Sequence, residues 1–304
     1  MNPIALAFKW VPKLPPGLAR AAFRLVADLA GRARGKSVRR LEANLRRVRP
    51  DLTRPQLRRL AREGMRRYFR YFCEAFQLGG WSWEHISSMV RLADERRVRE
   101  QLGPQCQAIL ALGHMGNWDL AGAWATRELG HVTTVAEHLE PEEVFQDFLA
   151  LRRRIGLTII ALEPGQPVFR QVLKAARAPG RWIIPLLADR DLGRGGVEVE
   201  FFGEKALVAP GPAALAVASG HPLFGVAMYR EGPGYVLEFS QPIDRPDHGS
   251  KADQVEAMTQ GWVSFLEEAI RRHPADWHML QKVFVSDLDP ERLARVRSQI
   301  GGSP

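Results

Sequence analysis

Cysteine is nearly missing from this chain: Cys73 and Cys106 are the only two among 304 residues. That is too few for a disulfide framework or a cysteine zinc site, and it fits a reducing compartment. No stretch approaches the ~18 uncharged apolar residues that a membrane-spanning helix needs. The run Ile4-Ala5-Leu6-Ala7-Phe8 is too short for a signal-peptide core and is followed by Lys9, Lys13 and three prolines. These lacks predict a cytoplasmic chain and leave peripheral contact as its route to a membrane. A G-x-S-x-G elbow is absent and neither cysteine lies in a nucleophile's setting, so a covalent acyl-enzyme is disfavoured. There is no H-E-x-x-H and no tight group of metal ligands, which argues against a metalloenzyme. G-x-G-x-x-G and the lysine-containing Walker pattern are missing too, so Gly113-His114-Met115-Gly116 is a poor candidate for a phosphate loop. No internal repeat and no low-complexity segment is found.

What is present describes a globular protein. Hydrophobic residues make up 45%, charged residues 25% and aromatic residues 9%. The net charge of +9 is unevenly placed. Residues 1–103 carry 23 Lys and Arg against 9 Asp and Glu, while the remainder carries 20 against 25. A basic N-terminal third on a mildly acidic body can hold an anionic partner, either membrane or nucleic acid.

Residues 1–16 mix Phe8, Trp10 and Val11 with lysines and prolines, which suits a bilayer interface or a frayed terminus. Apolar residues recur at helical spacing over 17–33 (Leu18, Ala22, Leu25, Leu29) and over 37–48 (Val38, Leu41, Leu45, Val48). Thr53 and Gln56 read as a capping box opening a helix to about Phe76. Its apolar side holds Leu57, Leu60, Met65, Tyr68, Phe69 and Phe72. Arg58, Arg59, Arg62, Arg66, Arg67 and Arg70 hold the other. Such a row is ordinarily a solvated face. It also suits an anionic lipid surface, where each basic residue is worth ~1 kcal/mol.

From about residue 88 the rhythm changes. Strands are predicted at Met89–Leu92, Gln107–Leu112, Val132–Ala136, Leu157–Leu162, Trp182–Ala188, Val197–Phe202, Leu223–Tyr229 and Tyr235–Phe239. Helices are predicted at 93–102, 118–129, 141–155, 166–177, 210–219 and 252–273, with a short charged helix and a loose tail over 285–304. The alternation implies an α/β fold: a mostly parallel central sheet flanked by helices, with an N-terminal amphipathic basic helical region. The last two strands read as an antiparallel hairpin. The expected division is a basic helical region, 1–87, packed on an α/β core, 88–304.

The chemistry gathers at strand ends. Ala108–Leu112 is an unbroken apolar run, Gly113 allows a turn, and His114 and Asp119 follow. A carboxylate beside an imidazole fixes its tautomer and stabilises its protonated form, leaving the other nitrogen as a general base. Open α/β sheets place ligands at this edge. The pattern alone also admits a structural histidine with Asn117 or Asp119 capping a helix. Ala188-Asp189-Arg190-Asp191-Leu192 ends another buried strand, and charges there need pairing or use. Glu137 and His138 end a third. Arg152, Arg153 and Arg154 end a helix, where the dipole explains one cation but not three. The small residues of 211–219 allow close helix packing or an apolar chain lying alongside.

At this point the residues resemble a known family. G-H-M-G-N-W-D at 113–119 is similar to the H-x4-D/E motif of glycerolipid-type acyltransferases, and its G-N-W-D portion to their lipid A biosynthesis branch. Asn44-Leu45-Arg46, the acidic residue at 189 and F-F-G-x6-P-G at 201–211 follow in that branch's order. V-A-E-H-L at 135–139, A-D-R-D-L at 188–192, G-V-E-V-E-F-F-G-E at 196–204 and P-A-D-W-H-M-L-Q at 274–281 resemble its actinobacterial members, the phosphatidylinositol mannoside acyltransferases. The resemblance spans about residues 17–290. It implies transfer of a long acyl group from acyl-CoA, as co-substrate, to a mannose hydroxyl of phosphatidylinositol mannoside at the cytoplasmic face of the plasma membrane. No metal or cofactor is implied. It implies His114 as base, Asp119 as the partner that orients and charges the imidazole, and Asp189 acting with the histidine. Glu137, Arg152 and Arg190 are implied at the substrate, with Gly195 and Ala218 near the acyl donor. The alternatives that stay open are another lipid acceptor, acyl carrier protein as donor, and a non-catalytic membrane- or nucleic-acid-binding protein. Against nucleic acid, no recognisable module appears. Oligomeric state is not legible.

Overall fold

The computed structural model of the chain describes residues 3–138, 140–162, 166–191 and 195–289. Helices come first: α1 (Pro3–Trp10), α2 (Pro16–Ala33), α3 (Lys36–Val48), α4 (Arg54–Leu78) and α5 (Trp83–Met89). Then follow β1 (Val90–Leu92), α6 (Glu95–Leu102), β2 (Gln107–Leu112), α7 (Trp118–Glu128), β3 (His131–Glu137), α8 (Glu142–Arg154) and β4 (Leu157–Leu162). The last part holds α9 (Val168–Ala175), β5 (Trp182–Leu187), β6 (Val197–Phe201), β7 (Glu204–Val208), α10 (Gly211–Ser219), β8 (Leu223–Glu231), β9 (Gly234–Pro242) and α11 (Lys251–Arg272). Within the segment expected as a charged helix and tail, a short 3-10 turn spans Val285–Asp287. Its continuation over 290–304 lies outside the described residues, as do Leu139 and Leu192 of the motifs above.

Seven strands form one sheet in the order β1-β9-β8-β2-β5-β3-β4. Every neighbouring pair is parallel except the β8–β9 hairpin. β6 and β7 form a separate antiparallel pair, and β7 was not anticipated. Successive strand side chains point to opposite faces. Leu110, Leu112, Ile183, Val226 and Phe239 therefore look toward α7, α8 and the N-terminal helices, joining one core. Ile109, Ala111, Ile184 and Ala227 look the other way, into a second core closed by α10 and α11 with Trp262, Leu266 and Trp277.

The N-terminal helices show which of their faces does the packing. The capping box forms, with the Thr53 N–H donating to Gln56 Oε1 at 2.8 Å. α2 meets α4 through small residues: Ala19 and Ala27 are fully buried, and a Cβ on Gly31 would stand 2.9 Å from Arg62 Cγ. Close approach on that side turns the leucines outward, so Leu18 (57%), Leu25 (59%) and Leu29 (54%) are exposed. The arginine row on α4 is not one solvated face. Arg66 donates to Asp28 at 2.6 Å, Arg67 pairs with buried Asp276, and Arg70 donates to buried Glu74 at 2.5 Å. Those three arginines are internal ties.

One backbone position is fixed by geometry. Gly116 has φ +68, and a Cβ there would stand 2.5 Å from the carbonyl oxygen of Met228. Left-handed backbone and a backbone clash both oppose any side chain. Gly116→Ala is expected to lower unfolding free energy by about 2 kcal/mol or more, read by denaturant titration. An unchanged midpoint would contradict this loop geometry.

Candidate active site

The sheet register assembles the site. β2 and β5 run side by side with Leu112 opposite Leu187, and the Ala188 N–H donates to the Leu112 carbonyl at 2.9 Å. His114 and Asp189 each lie two residues beyond that pair, so adjacent strands deliver them together. The His114 backbone N–H donates to Asp189 Oδ2 at 2.9 Å, and His114 Nδ1 lies 2.5 Å from Asp189 Oδ1. The carboxylate is 1% exposed. Burial pushes its pKa up. The facing imidazole, the Trp277 indole N–H and the His114 backbone N–H outweigh that and hold it below the usual carboxylate value. An ionised carboxylate only accepts, so Nδ1 carries the proton and Nε2 is left as the basic nitrogen. The imidazole is 20% exposed.

Asp119 is placed differently from its expected role. Asn117 caps α7, its Oδ1 accepting from the Leu120 N–H at 3.0 Å, and Asp119 sits in the first turn. From there its carboxylate turns toward α4 and α8. Oδ2 accepts from the Tyr71 hydroxyl at 2.8 Å, and Oδ1 accepts from Arg152 Nε at 2.8 Å. Among the described residues no hydrogen bond joins it to His114. The imidazole's partner is Asp189, and Asp119 instead ties Tyr71 and Arg152 into the pocket wall. The correction is geometric: side chains five apart across a loop-to-helix junction do not share a direction. Burial pushes the Arg152 guanidinium down, but Asp119 and Tyr71 more than offset it and the pKa is raised.

A cavity of about 430 Å³ opens beside His114. Tyr68, Tyr71, Trp118, Asp119, Arg152 and Arg190 line its polar end. The apolar end runs between the sheet face (Leu110, Leu112, Ile183, Val226, Phe239) and α7, whose inward residues Ala121, Gly122 and Ala125 are small. Trp118 to Leu129 covers ~16 Å of that helix at ~1.5 Å per residue. Glu137 sits exposed at the mouth and accepts from Arg190 Nη2 at 2.7 Å. Two expected residues are not part of this lining. Gly195 is not among the described lining residues, and Ala218 is exposed on α10, across the sheet from the cavity. The small residues of α10 serve packing: Ala213 and Ala216 are buried in the second core. It is α7 whose small side chains leave room.

Three contacts were not foreseen. Tyr71 was read only as part of a helix. Trp277, whose Nε1–H donates to Asp189 Oδ2 at 2.9 Å, lies in the motif quoted at 274–281 with no role attached. His278 sits behind the His114 loop, with Nε2 3.2 Å from the Gly116 carbonyl. The aromatic residues directly after Asp276 in that motif were the available signal.

The model of the bacterial lipid A biosynthesis acyltransferase family matches residues 4–286. A phosphatidylinositol mannoside acyltransferase from Mycolicibacterium smegmatis is 35% identical over 294 residues, covering 96% of this chain and 93% of that protein. One from Mycobacterium tuberculosis (strain H37Rv) is 36% identical over 234 residues, covering 76% of this chain and 72% of that protein. The chain belongs to the bacterial lipid A biosynthesis acyltransferase family and is an acyltransferase.

Proposed function

We propose that the protein moves a long fatty acyl group from acyl-CoA to a mannose hydroxyl of phosphatidylinositol mannoside, with His114 as general base. The observation that carries this reading is the apolar slot under α7 ending at a histidine whose Nδ1 is tied to a buried carboxylate. The acyl chain lies in the slot and its thioester stands at the mouth. His114 Nε2 takes the acceptor hydroxyl's proton as that oxygen attacks the thioester carbonyl. Collapse of the tetrahedral intermediate breaks the C–S bond, and the imidazolium returns the proton to the leaving thiolate. Asp189 stabilises the imidazolium during the cycle. Arg190 and Glu137 at the mouth, and Arg152 held by Asp119, contact the polar parts of donor and acceptor. A covalent route through cysteine is disfavoured, since burial pushes the Cys73 thiol up to about 11. The relatives' printed substrate supports the choice of acceptor.

The acceptor's lipid places the reaction at a membrane. No helix among the described residues is long and apolar enough to cross one. We assign contact to α1 and α2. Trp10, Leu18, Leu25, Val26 and Leu29 are exposed there, among exposed Lys9, Arg20, Arg24 and Arg32, with Lys13 exposed in the turn between the two helices. Apolar residues rimmed by cations suit the boundary of an anionic bilayer. Ile4 of α1 lines the cavity, so this face adjoins the slot. We place this contact at the cytoplasmic face of the plasma membrane.

Incubation with labelled palmitoyl-CoA and mannosylated phosphatidylinositol is expected to yield an acylated mannolipid, with palmitoyl-acyl carrier protein as the competing donor arm. Absence of product with every donor would sink the reading. His114→Ala is expected to lower kcat by ~10²–10⁴-fold while the thermal midpoint is kept, and a loss of only a few-fold would remove the general base. Ala125→Phe fills the slot and is expected to shift donor preference toward shorter acyl chains in a competition assay. Replacing Leu18, Leu25 and Leu29 together by serine is expected to cut partitioning onto phosphatidylglycerol vesicles by ~10-fold or more, since each leucine buried in lipid contributes ~1.5–3 kcal/mol. Unchanged flotation would remove α2 from the membrane contact.

A further inference from the structure

We infer that Trp277 is a positioning residue for acyl transfer: its indole N–H holds Asp189 Oδ2 so that Oδ1 alone faces His114 Nδ1. The inference rests on His114 acting as the base. The segment after α11 passes directly behind the His114 loop and is pinned to it by backbone. The His278 N–H donates to the His114 carbonyl at 2.7 Å, and the Gly116 N–H donates to the Asp276 carbonyl at 3.0 Å. Met115 and Trp277 form an antiparallel bridge.

Trp277 is 0% exposed, and its indole nitrogen lies 2.9 Å from Asp189 Oδ2. That oxygen also accepts from the His114 backbone N–H at 2.9 Å. Two donors on Oδ2 fix rotation about the carboxyl bond, so the remaining oxygen meets the ring nitrogen at 2.5 Å. Without the indole, a buried carboxylate would keep one backbone donor and regain a torsion. Terminal carboxyl torsions are otherwise broad.

The indole itself is held from several sides. Its ring meets Phe201 edge-on, with centroids 5.7 Å apart, and Phe202 at 5.9 Å. Asn44 Nδ2 donates to the Met279 carbonyl at 2.8 Å and to the Gln281 carbonyl at 3.0 Å, and Arg67 pairs with Asp276. His278 adds its Nε2–H to the Gly116 carbonyl at 3.2 Å, and burial pushes its pKa down to about 3, so it stays neutral. Trp277 is not among the described cavity-lining residues. Its effect on the reaction therefore passes through Asp189 and not through substrate contact.

The test compares Trp277→Phe in the full chain with the same change in an Asp189→Asn background, using palmitoyl-CoA and mannosylated phosphatidylinositol. In the otherwise unaltered chain, kcat is expected to fall ~10–100-fold, the range for losing a hydrogen bond to a charged group, with KM for palmitoyl-CoA within about two-fold. In the Asp189→Asn background the same change is expected to cost less than about two-fold, because the coupling is through that carboxylate. An equal loss in both backgrounds shows a packing role and overturns the inference, as does an unchanged kcat. If the phenylalanine variant does not fold, 3-benzothienylalanine placed at 277 removes the N–H at nearly the same size, with the same expected and overturning outcomes. His114→Ala is assayed alongside. Inactive His114→Ala with unaffected Trp277→Phe sinks the positioning role alone, whereas active His114→Ala sinks the general-base reading.

Discussion

The carboxylates of Asp189, Asp119 and Glu74 are buried against residues 113–119, and each is paired. Asp189 and Asp119 are each 1% exposed and Glu74 is 3% exposed. An isolated ion in such a setting costs several kcal/mol, and hydrogen-bonded partners are the remedy. Asp189 takes His114 and Trp277. Asp119 takes Tyr71 and Arg152. Glu74 takes Arg70, Asn117 Nδ2 at 2.9 Å and the Tyr235 hydroxyl at 2.7 Å. The partners come from α4, α8, β9 and the segment after α11. Residues 113–119 are therefore gripped from every side by chain that is distant in sequence.

That constraint explains why the N-terminal helices belong to the site and are not an appendage. Tyr71 and Glu74 lie one turn apart on α4 and reach Asp119 and Asn117 on α7. The Tyr71 ring lies 4.1 Å from that of Trp118, centroid to centroid. α4 and the start of α7 are joined in this way, and the small inward side chains of α7 leave a slot where larger ones would close a core. The opposite face shows the contrast. There Trp262, Leu266 and Trp277 fill the space over the sheet, and the small residues of α10 merely bring helix and strands together.

Strand placement was readable to within a residue or two at most ends, because buried parallel strands are near-continuous apolar runs bounded by turns. The clustering of His114, Asp189, Arg190 and Glu137 at one edge was readable too, since parallel strands share a C-terminal end. Which aspartate meets the imidazole was not. Spacing along the chain favours Asp119, but the β2–β5 register decides for Asp189, and register is a property of two strands far apart in sequence. Gly195 and Ala218 rest on the resemblance alone, since smallness states that a neighbour comes close, not which one. β7 went unseen because Glu204–Val208 starts with two charged residues and stands outside the main sheet, paired with β6.

The amphipathic reading of the N-terminal region held in kind but not in orientation. Helical periodicity identifies an apolar stripe and says nothing about what covers it. On α2 the buried residues are Ala19, Ala27 and Gly31, with Phe23 partly buried against Phe76, and the close approach to α4 leaves the leucines outside. The larger apolar residues are then exposed by the packing itself. On α4 the reverse holds, since long arginines reach over the helix and their charges end on Asp28, Glu74 and Asp276. The basic excess of this region thus partly ends on acids inside the protein, and what α2 leaves exposed is its leucine stripe with its own flanking cations. It is α1 that reaches the cavity: Phe8 packs edge-on against Phe76 and Phe148 at 4.6 and 4.7 Å, and Ile4 lies at the cavity's edge.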